Sequence, residues 1–179
     1  VSRGLGDVYK RQQGYHVFAG KPELEGLPAT YTEEASEAET LVVDVKDALT
    51  GVKAELSYTI FREGGILARN VRFLNEGEES VHLTQAMSLC LDLPDPDYEW
   101  LQLSGSWARE RHVKKRALTQ GITAIDSMRG NSSHEQNPFI VLKRPSADER
   151  QGEAFGISLV YSGNFLMQAE VDAHNTLRL

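Results

Sequence analysis

A two-residue hydrophobic period begins at Thr40, continues through most of the chain, and constrains the fold more than any other feature. Apolar and polar residues alternate in stretches of roughly six to ten residues, separated by clusters of Gly, Asn, Pro or Asp. Successive side chains of a strand point to opposite faces, so this pattern is typical of antiparallel strands joined by turns. No internal repeat of solenoid length is present. We therefore predict an all-β fold, a large antiparallel β-sandwich of one or two stacked sheets.

The clearest predicted hairpin joins residues 40–47 to residues 52–61 through a turn at residues 48–51. In its second strand, alternation places four side chains on one face: Ala54, Leu56, Tyr58 and Ile60. The only stretch that reads as helix or acidic loop, residues 33–39, precedes this hairpin.

Residues 66–75 are the next predicted strand, after a turn at residues 63–65. Leu67 and Phe73 are expected to face inward, whereas the two arginines of the strand reach solvent: Arg69 and Arg72. The following turn is predicted to hold Gly77 at a positive φ, a conformation that glycine adopts at little cost.

Residues 80–93 are predicted to form one long strand with a bulge near Gln85, and Cys90 within it is expected to be a small buried side chain. Gly105 is expected to divide or bend the next segment. Shorter strands follow at residues 121–128, 139–143, 152–163 and 165–172. The dipeptide at 163–164, Gly-Asn, predicts a hairpin between the last two of these.

Composition limits the classes of partner and compartment. A chain of 179 residues with 40% hydrophobic content is long enough for one domain with a real core. The net charge of −7 argues against nucleic acid or an anionic membrane, since both attract cationic surfaces. A single cysteine excludes an intrachain disulfide, and no apolar run approaches the roughly 20 residues that span a bilayer. We expect a cytoplasmic protein with no nucleic-acid or membrane partner.

The polar loop at residues 129–139, RGNSSHEQNPF, concentrates hydrogen-bonding side chains before an apolar run. It can bind a sugar or a neighbouring domain, or its Asn and Ser side chains can satisfy the backbone of a turn. Both interpretations stay open from residue types alone. The loop's candidate site residues are Arg129, Ser132, Ser133, His134 and Asn137.

Trp107 stands beside Arg109, Glu110 and Arg111, which favours an anchoring cluster at an interdomain surface over stacking on a sugar. The basic run at residues 109–116 is best explained as a solvated edge strand. Three aspartates interleaved with prolines are interpreted as turn formers rather than paired catalytic carboxylates: Asp92, Asp95 and Asp97. The five histidines and one cysteine lack metal-ligand spacing, so we predict no metal in this chain, and no cofactor is expected.

Four separated blocks carry a family resemblance: KPELEGLPATY at 21–31, LQLSGSWARERH at 101–112, RGNSSHEQNPF at 129–139 and LVYSGNF at 159–165. From about Gly20 onward the chain resembles the N-terminal, non-catalytic domain of bacterial α-galactosidases of glycoside hydrolase family 36. The resemblance implies a β-supersandwich that precedes a (β/α)8 catalytic barrel and a small β-sandwich. It also implies retaining hydrolysis of terminal α-galactosyl groups of melibiose or raffinose, by two aspartates of the barrel.

The domain prediction follows from this resemblance. Residues 1–13 do not match the family and are interpreted as a non-native leader; residues 14–179 are interpreted as a partial supersandwich, truncated at both ends and inactive alone. The five loop candidates are expected to pack near the barrel, and Trp107, Arg109 and Arg111 to stabilise the domain or its contacts. The implied partners are α-galactosides, the barrel and, as in tetrameric members, other subunits. The alternative is a stand-alone carbohydrate-binding or interdomain interaction β-sandwich.

Overall fold

The computed structural model describes residues 10–26, 28–132 and 134–179. Backbone contacts divide them into two compact units, and each is described by itself. The first unit takes the described residues up to 25 and those from 29 to 89. The second takes the remainder, almost all of it from Cys90 onward. Within the described residues, every helix is too short and too polar to span a bilayer.

The first unit is a four-stranded antiparallel sheet in the order β1–β2–β3–β4. Its strands are β1 Lys10–Ala19, β2 Ala38–Asp47, β3 Val52–Phe61 and β4 Leu67–Asn75, with a 3₁₀ helix at Ala35–Glu37 before β2. The predicted β2–β3 hairpin is confirmed, and its turn is held by Asp47, whose carboxylate accepts from the Leu49 amide at 2.9 Å. Residues 10–12 of the predicted leader pair with β2, residues 1–9 lie outside the described part, and the leader boundary stays a prediction.

The two faces of this sheet differ in polarity, and the buried one is the more polar. Thr40 and Thr59 are almost fully buried on one face, together with Ser57. The opposite face carries the predicted apolar row, but Ile60 is 62% exposed and Leu67 is 59% exposed. The prediction that Leu67 and Phe73 point inward is therefore wrong, because alternation defines which residues share a face and not which face is covered.

Two further expectations for the first unit are wrong. Gly77 is absent from the positive-φ residues; glycine is needed there because a Cβ would lie 2.4 Å from the Thr50 carbonyl oxygen. Residues 76–90 form no strand in the described structure, and Cys90, which begins the main segment of the second unit, is exposed. The Ser88 carbonyl instead accepts a hydrogen bond from the Arg69 guanidinium.

The second unit contains two four-stranded antiparallel sheets, so the predicted all-β antiparallel class is confirmed. Its strands are β5 Asp92–Leu93, β6 Glu99–Ser106, β7 Arg109–Ala117, β8 Gly121–Ser127, β9 Gln136–Lys143, β10 Ala154–Ser158, β11 Phe165–Val171 and β12 Leu177–Arg178. One sheet has the order β10–β9–β6–β7 and the other β5–β12–β11–β8. The basic strand β7 lies at an edge, as predicted.

Large apolar side chains from both sheets form the core of the second unit. Trp100 and Leu142 are fully inaccessible to solvent, and the rest of the cluster is nearly so. Burying one side chain of this size is worth about 1.5–3 kcal/mol. The cluster consists of Tyr98, Trp100, Ile125, Ile140, Leu142, Phe165, Ala169, Val171 and Leu177.

The predicted hairpin at residues 163–164 is wrong. Strand β10 pairs with β9, whereas β11 pairs with β8, so the connection between them crosses from one sheet to the other. The side-chain oxygen of Asn164 instead accepts a hydrogen bond from the Gly130 amide at 2.6 Å. The asparagine therefore holds the polar loop rather than making a tight turn.

Candidate functional site

A β-bulge in β7 shapes the site. Ser104 of β6 pairs with His112, and Ser106 pairs with Arg109, so Glu110 and Arg111 lie opposite the single residue Gly105. A Cβ on Gly105 would lie 2.0 Å from the Arg109 carbonyl oxygen, so only glycine allows this approach. The prediction that Gly105 separates two strands is thus refined: it forms the bulge, and the turn follows at residues 107–108.

Arg111 has a φ of 57°, in the left-handed region that non-glycine residues rarely adopt. Ala108, in the adjacent turn, has a φ of 61°, and its amide donates to the Glu110 carboxylate at 2.8 Å. The backbone amides of Glu110 and Ala108, followed by the charges of His134 and Arg111, hold the pKa of Glu110 below its ordinary value. Glu110 is therefore an ionised acceptor at neutral pH.

The polar loop is fastened to its surroundings by backbone hydrogen bonds. The Ser132 amide donates to the Ser162 carbonyl at 2.7 Å, and the Gly105 amide donates to the Glu135 carbonyl at 3.0 Å. The Arg129 guanidinium forms an ion pair with Glu135 at 2.6 Å. These bonds use backbone groups and the Arg129–Glu135 pair rather than the Asn and Ser side chains of the loop, so both interpretations of those side chains stay open.

The bulge and the loop together line an open cleft of about 290 Å³, here called the bulge cleft. Four predicted site residues meet there, together with Glu110 and Pro138, which sequence reasoning did not select as site residues. Within the described part of the chain, no carboxylate lies within ion-pair distance of Arg111, so its guanidinium is available to a ligand. The lining residues are Glu110, Arg111, Ser132, His134, Asn137 and Pro138.

The remaining candidates lie elsewhere. Trp107 is 82% exposed and lines neither this cleft nor a second cleft of about 350 Å³, and the exposed Arg109 lines neither of them. Arg129 lines the second cleft, together with residues of β8 and the first residue of β9. Ser133 lies outside the described residues. Trp107 shows no cation–π contact among the described residues, so a cluster with its neighbouring arginines stays a prediction.

A partly buried polar network lies on β6 and β9 and was not foreseen. The Trp100 indole donates to Gln102 at 3.0 Å, and the Gln102 amide donates to the Ser104 hydroxyl at 2.7 Å. The Ser104 hydroxyl in turn donates to the side-chain oxygen of Gln136, the first residue of β9, at 2.8 Å. Polar residues recurring at every second position beside a tryptophan are the sequence signal that could have revealed it.

Asp95 lies in a turn, as predicted, whereas Asp92 lies in strand β5 and its carboxylate accepts from Arg178 at 2.6 Å. Asp95 accepts from Arg144, with Nη2 and Oδ2 3.1 Å apart, and its second oxygen accepts from the Asp97 amide. Arg144 also lies 4.0 Å over the ring of Tyr98, so the proline-rich turn is fastened to the core. In the ranges that the structure describes, no group of three His, Cys, Asp or Glu side chains is arranged to hold a metal ion.

Comparison with known proteins places this geometry in a family. Residues 7–179 match the model of the glycosyl hydrolase family 36 N-terminal domain. Alpha-galactosidase AgaA of Geobacillus stearothermophilus is 48% identical over 94% of this chain, and alpha-galactosidase 1 of Pediococcus pentosaceus is 39% identical over 98%. The crystal structure of AgaA superposes with a TM-score of 0.93. The chain spans 23% and 24% of the lengths of these two relatives, about a quarter.

Proposed function

Because this chain belongs to glycosyl hydrolase family 36, as its N-terminal domain, we propose that it serves as the non-catalytic domain of an α-galactosidase. The observation that carries the proposal is the agreement with AgaA, 48% identity and a TM-score of 0.93 over 94% of the chain. Agreement of this extent covers the bulge and the polar loop as well as the sheets.

The reaction we propose for the whole enzyme is retaining hydrolysis of terminal α-D-galactosyl groups of oligosaccharides. Variants of AgaA have been crystallised with raffinose and with stachyose, which supports this substrate class. The proposed partners of the domain are the catalytic part of its own polypeptide and, through it, α-galactosides. A homotetramer, implied by the resemblance, belongs to the same proposal.

A hybrid enzyme tests the proposal. Residues aligned with AgaA replace the matching segment of that enzyme, and release of galactose from raffinose is measured. We expect activity within about tenfold of AgaA, because surface differences outside the active centre cost little transition-state stabilisation. AgaA with the segment deleted is the control, and sedimentation of the hybrid reports its subunit number.

Two results would contradict the proposal. One is a folded hybrid, with the AgaA circular dichroism spectrum, that releases no galactose. The other is galactose release by the 179-residue chain itself, purified free of other hydrolases, since that would locate catalysis in this domain.

A further inference from the structure

The bulge cleft combines charged groups of opposite sign with neutral groups that both donate and accept. The Arg111 guanidinium only donates, and the ionised Glu110 carboxylate only accepts. Ser132 and Asn137 supply neutral groups that do both, and His134 adds the two nitrogens of its ring. A cleft with this lining offers complementary partners to a ligand whose own groups donate and accept at once.

The charges exclude ionic ligands of either sign. A carboxylate attracted by Arg111 would face the Glu110 carboxylate, and a cation attracted by Glu110 would face Arg111. A neutral hydroxyl group avoids both conflicts, because it donates to Glu110 and accepts from Arg111. Neighbouring hydroxyl groups on one ring use both residues together.

The size of the cleft limits the ligand to one ring. A volume of about 290 Å³ is at the lower end of the range for small-molecule sites. Among the described lining residues Pro138 is the only apolar one, and none is a Trp, Tyr or Phe. Without an aromatic platform the affinity is expected to be weak, with Kd in the range of about 1–10 mM.

The backbone holds the charged pair before any ligand arrives. The bulge opposite Gly105 fixes the position of Arg111 in the left-handed region, and the Ala108 amide orients Glu110. An unfavourable conformation that the surrounding structure maintains is a recurring property of ligand sites. Opposite the bulge, the Gly105 amide is bonded to the polar loop, which carries the remaining lining residues.

We propose that the bulge cleft binds one neutral sugar ring through Arg111, Glu110 and Asn137. The identity of that ring rests on the proposed function: it is a galactosyl unit of an α-galactoside. The cleft is then a second carbohydrate contact, carried by the N-terminal domain itself.

Nuclear magnetic resonance of the ¹⁵N-labelled 179-residue chain tests the proposal, with methyl α-galactoside added to about 100 mM. We expect saturable shifts confined to the lining residues. Sodium acetate and tetramethylammonium chloride are the ionic probes and should produce no saturable shift there. A larger response to either ion than to the sugar would overturn the proposal, as would no saturable response to the sugar.

Arg111→Gly is the decisive variant, because glycine accepts the φ of 57° and removes only the side chain. We expect binding at least about tenfold weaker with an otherwise unchanged spectrum. Arg111→Asn, which also tolerates this φ, guards against a folding defect and should weaken binding similarly. Arg109→Ala, an exposed arginine of the same strand outside the cleft, is the matched control and should bind normally. Unchanged binding by Arg111→Gly would overturn the proposal.

The two proposals fail separately. If the hybrid enzyme hydrolyses raffinose but the chain shows no sugar-dependent shift, the proposed function stands and the cleft assignment falls. If the chain binds the sugar but the folded hybrid is inactive, the enzyme assignment falls and the sugar site stands. Equal binding of methyl α-glucoside would overturn the galactosyl assignment.

Discussion

The two units bury different side chains: the first buries threonines together with the small apolar residues Ala38, Val42 and Ala54, and the second buries mainly large apolar residues. In the second unit, Trp100, Leu142 and their neighbours form an apolar core between two sheets. In the first unit the most buried threonines, Thr40 and Thr59, bond to each other at 2.8 Å, while apolar residues such as Ile60 remain exposed. Both units have the same alternation and the same antiparallel pairing.

This difference teaches that similar hydrophobic patterning does not give similar apolar burial. The second unit gains free energy from apolar burial, whereas the first depends on its hydrogen-bonded ladder and on a few satisfied polar groups. An exposed apolar face contributes little until something covers it. We therefore expect the second unit to resist denaturant better than the first.

The largest expected effect is that of Trp100→Ala in the second unit. Removing a fully buried indole leaves a cavity and takes one donor from the Gln102 side-chain oxygen, at a cost of about 3–5 kcal/mol. Urea unfolding followed by circular dichroism should show a much lower midpoint. Trp107→Ala is the matched control and should change stability by less than about 0.5 kcal/mol, because that side chain is exposed. Equal effects of the two variants would break the comparison.

Thr40→Val should destabilise the first unit by about 1–3 kcal/mol, because the Gly20 carbonyl and the Thr59 hydroxyl each lose a partner. Hydrogen exchange of the β2 and β3 amides measures the effect. Adding Thr59→Val should cost less than the sum of the two single changes, since the second hydroxyl is then already unpaired. Unchanged exchange in Thr40→Val would show that this pair does not hold the sheet.

Acid should weaken the second unit through Asp95. The bond to Arg144, followed by the Asp97 amide, lowers the pKa of Asp95 in the folded state. Its stabilisation is thus complete above the unfolded pKa of about 4 and is lost as pH falls through the folded pKa. Asp95→Asn should be less stable than the original chain at pH 7, and the difference should close at low pH. The urea midpoints of Asp95→Asn and of the original chain, measured across this pH range, test the prediction, and Asp97→Asn is the control. A difference between the two midpoints that does not change with pH would show that the ion pair with Arg144 is not its cause.

The smallest expected change in stability comes from the exposed apolar face of the first unit. Ile60→Lys together with Leu67→Lys should alter the unfolding free energy by less than about 0.5 kcal/mol, because both side chains are mostly exposed. The same pair should reduce self-association, measured by sedimentation velocity at several concentrations. A large loss of stability would mean that this face is covered, and would remove the contrast between the units.

The sequence predicted local pairing well where one turn joins two strands. The bounds of β3 and the edge position of β7 follow from alternation, turn residues and charge. The prediction of a strand is wrong for residues 80–90, because an extended, alternating segment becomes a strand only beside a partner strand. Which strand lies beside it depends on the tertiary fold. The crossing from one sheet to the other between β10 and β11 also depends on partner strands that are distant in sequence.

Site prediction was limited by similar physics. Residue types selected Arg111 in one cluster and Ser132, His134 and Asn137 in another; the fold brings the four to one cleft, and their role stays a prediction. They did not select Glu110, because its role depends on a bulge that only a register shift creates. Likewise the two tryptophans are alike in sequence context, yet only Trp100 is buried. Burial depends on which sheet face is packed, and the spacing of residues does not specify that.

The backbone pairing between residues 91 and 179 brings the two ends of the second unit side by side. The amide of each leucine donates to the carbonyl of the other, at 3.1 and 2.9 Å, and β5 continues this pairing with β12. Positions 90 and 179 can therefore be joined by a short linker and the chain opened elsewhere, for example in the exposed link between β7 and β8. Such a circular permutant would keep every strand neighbour of this unit while changing the order in which a ribosome produces them.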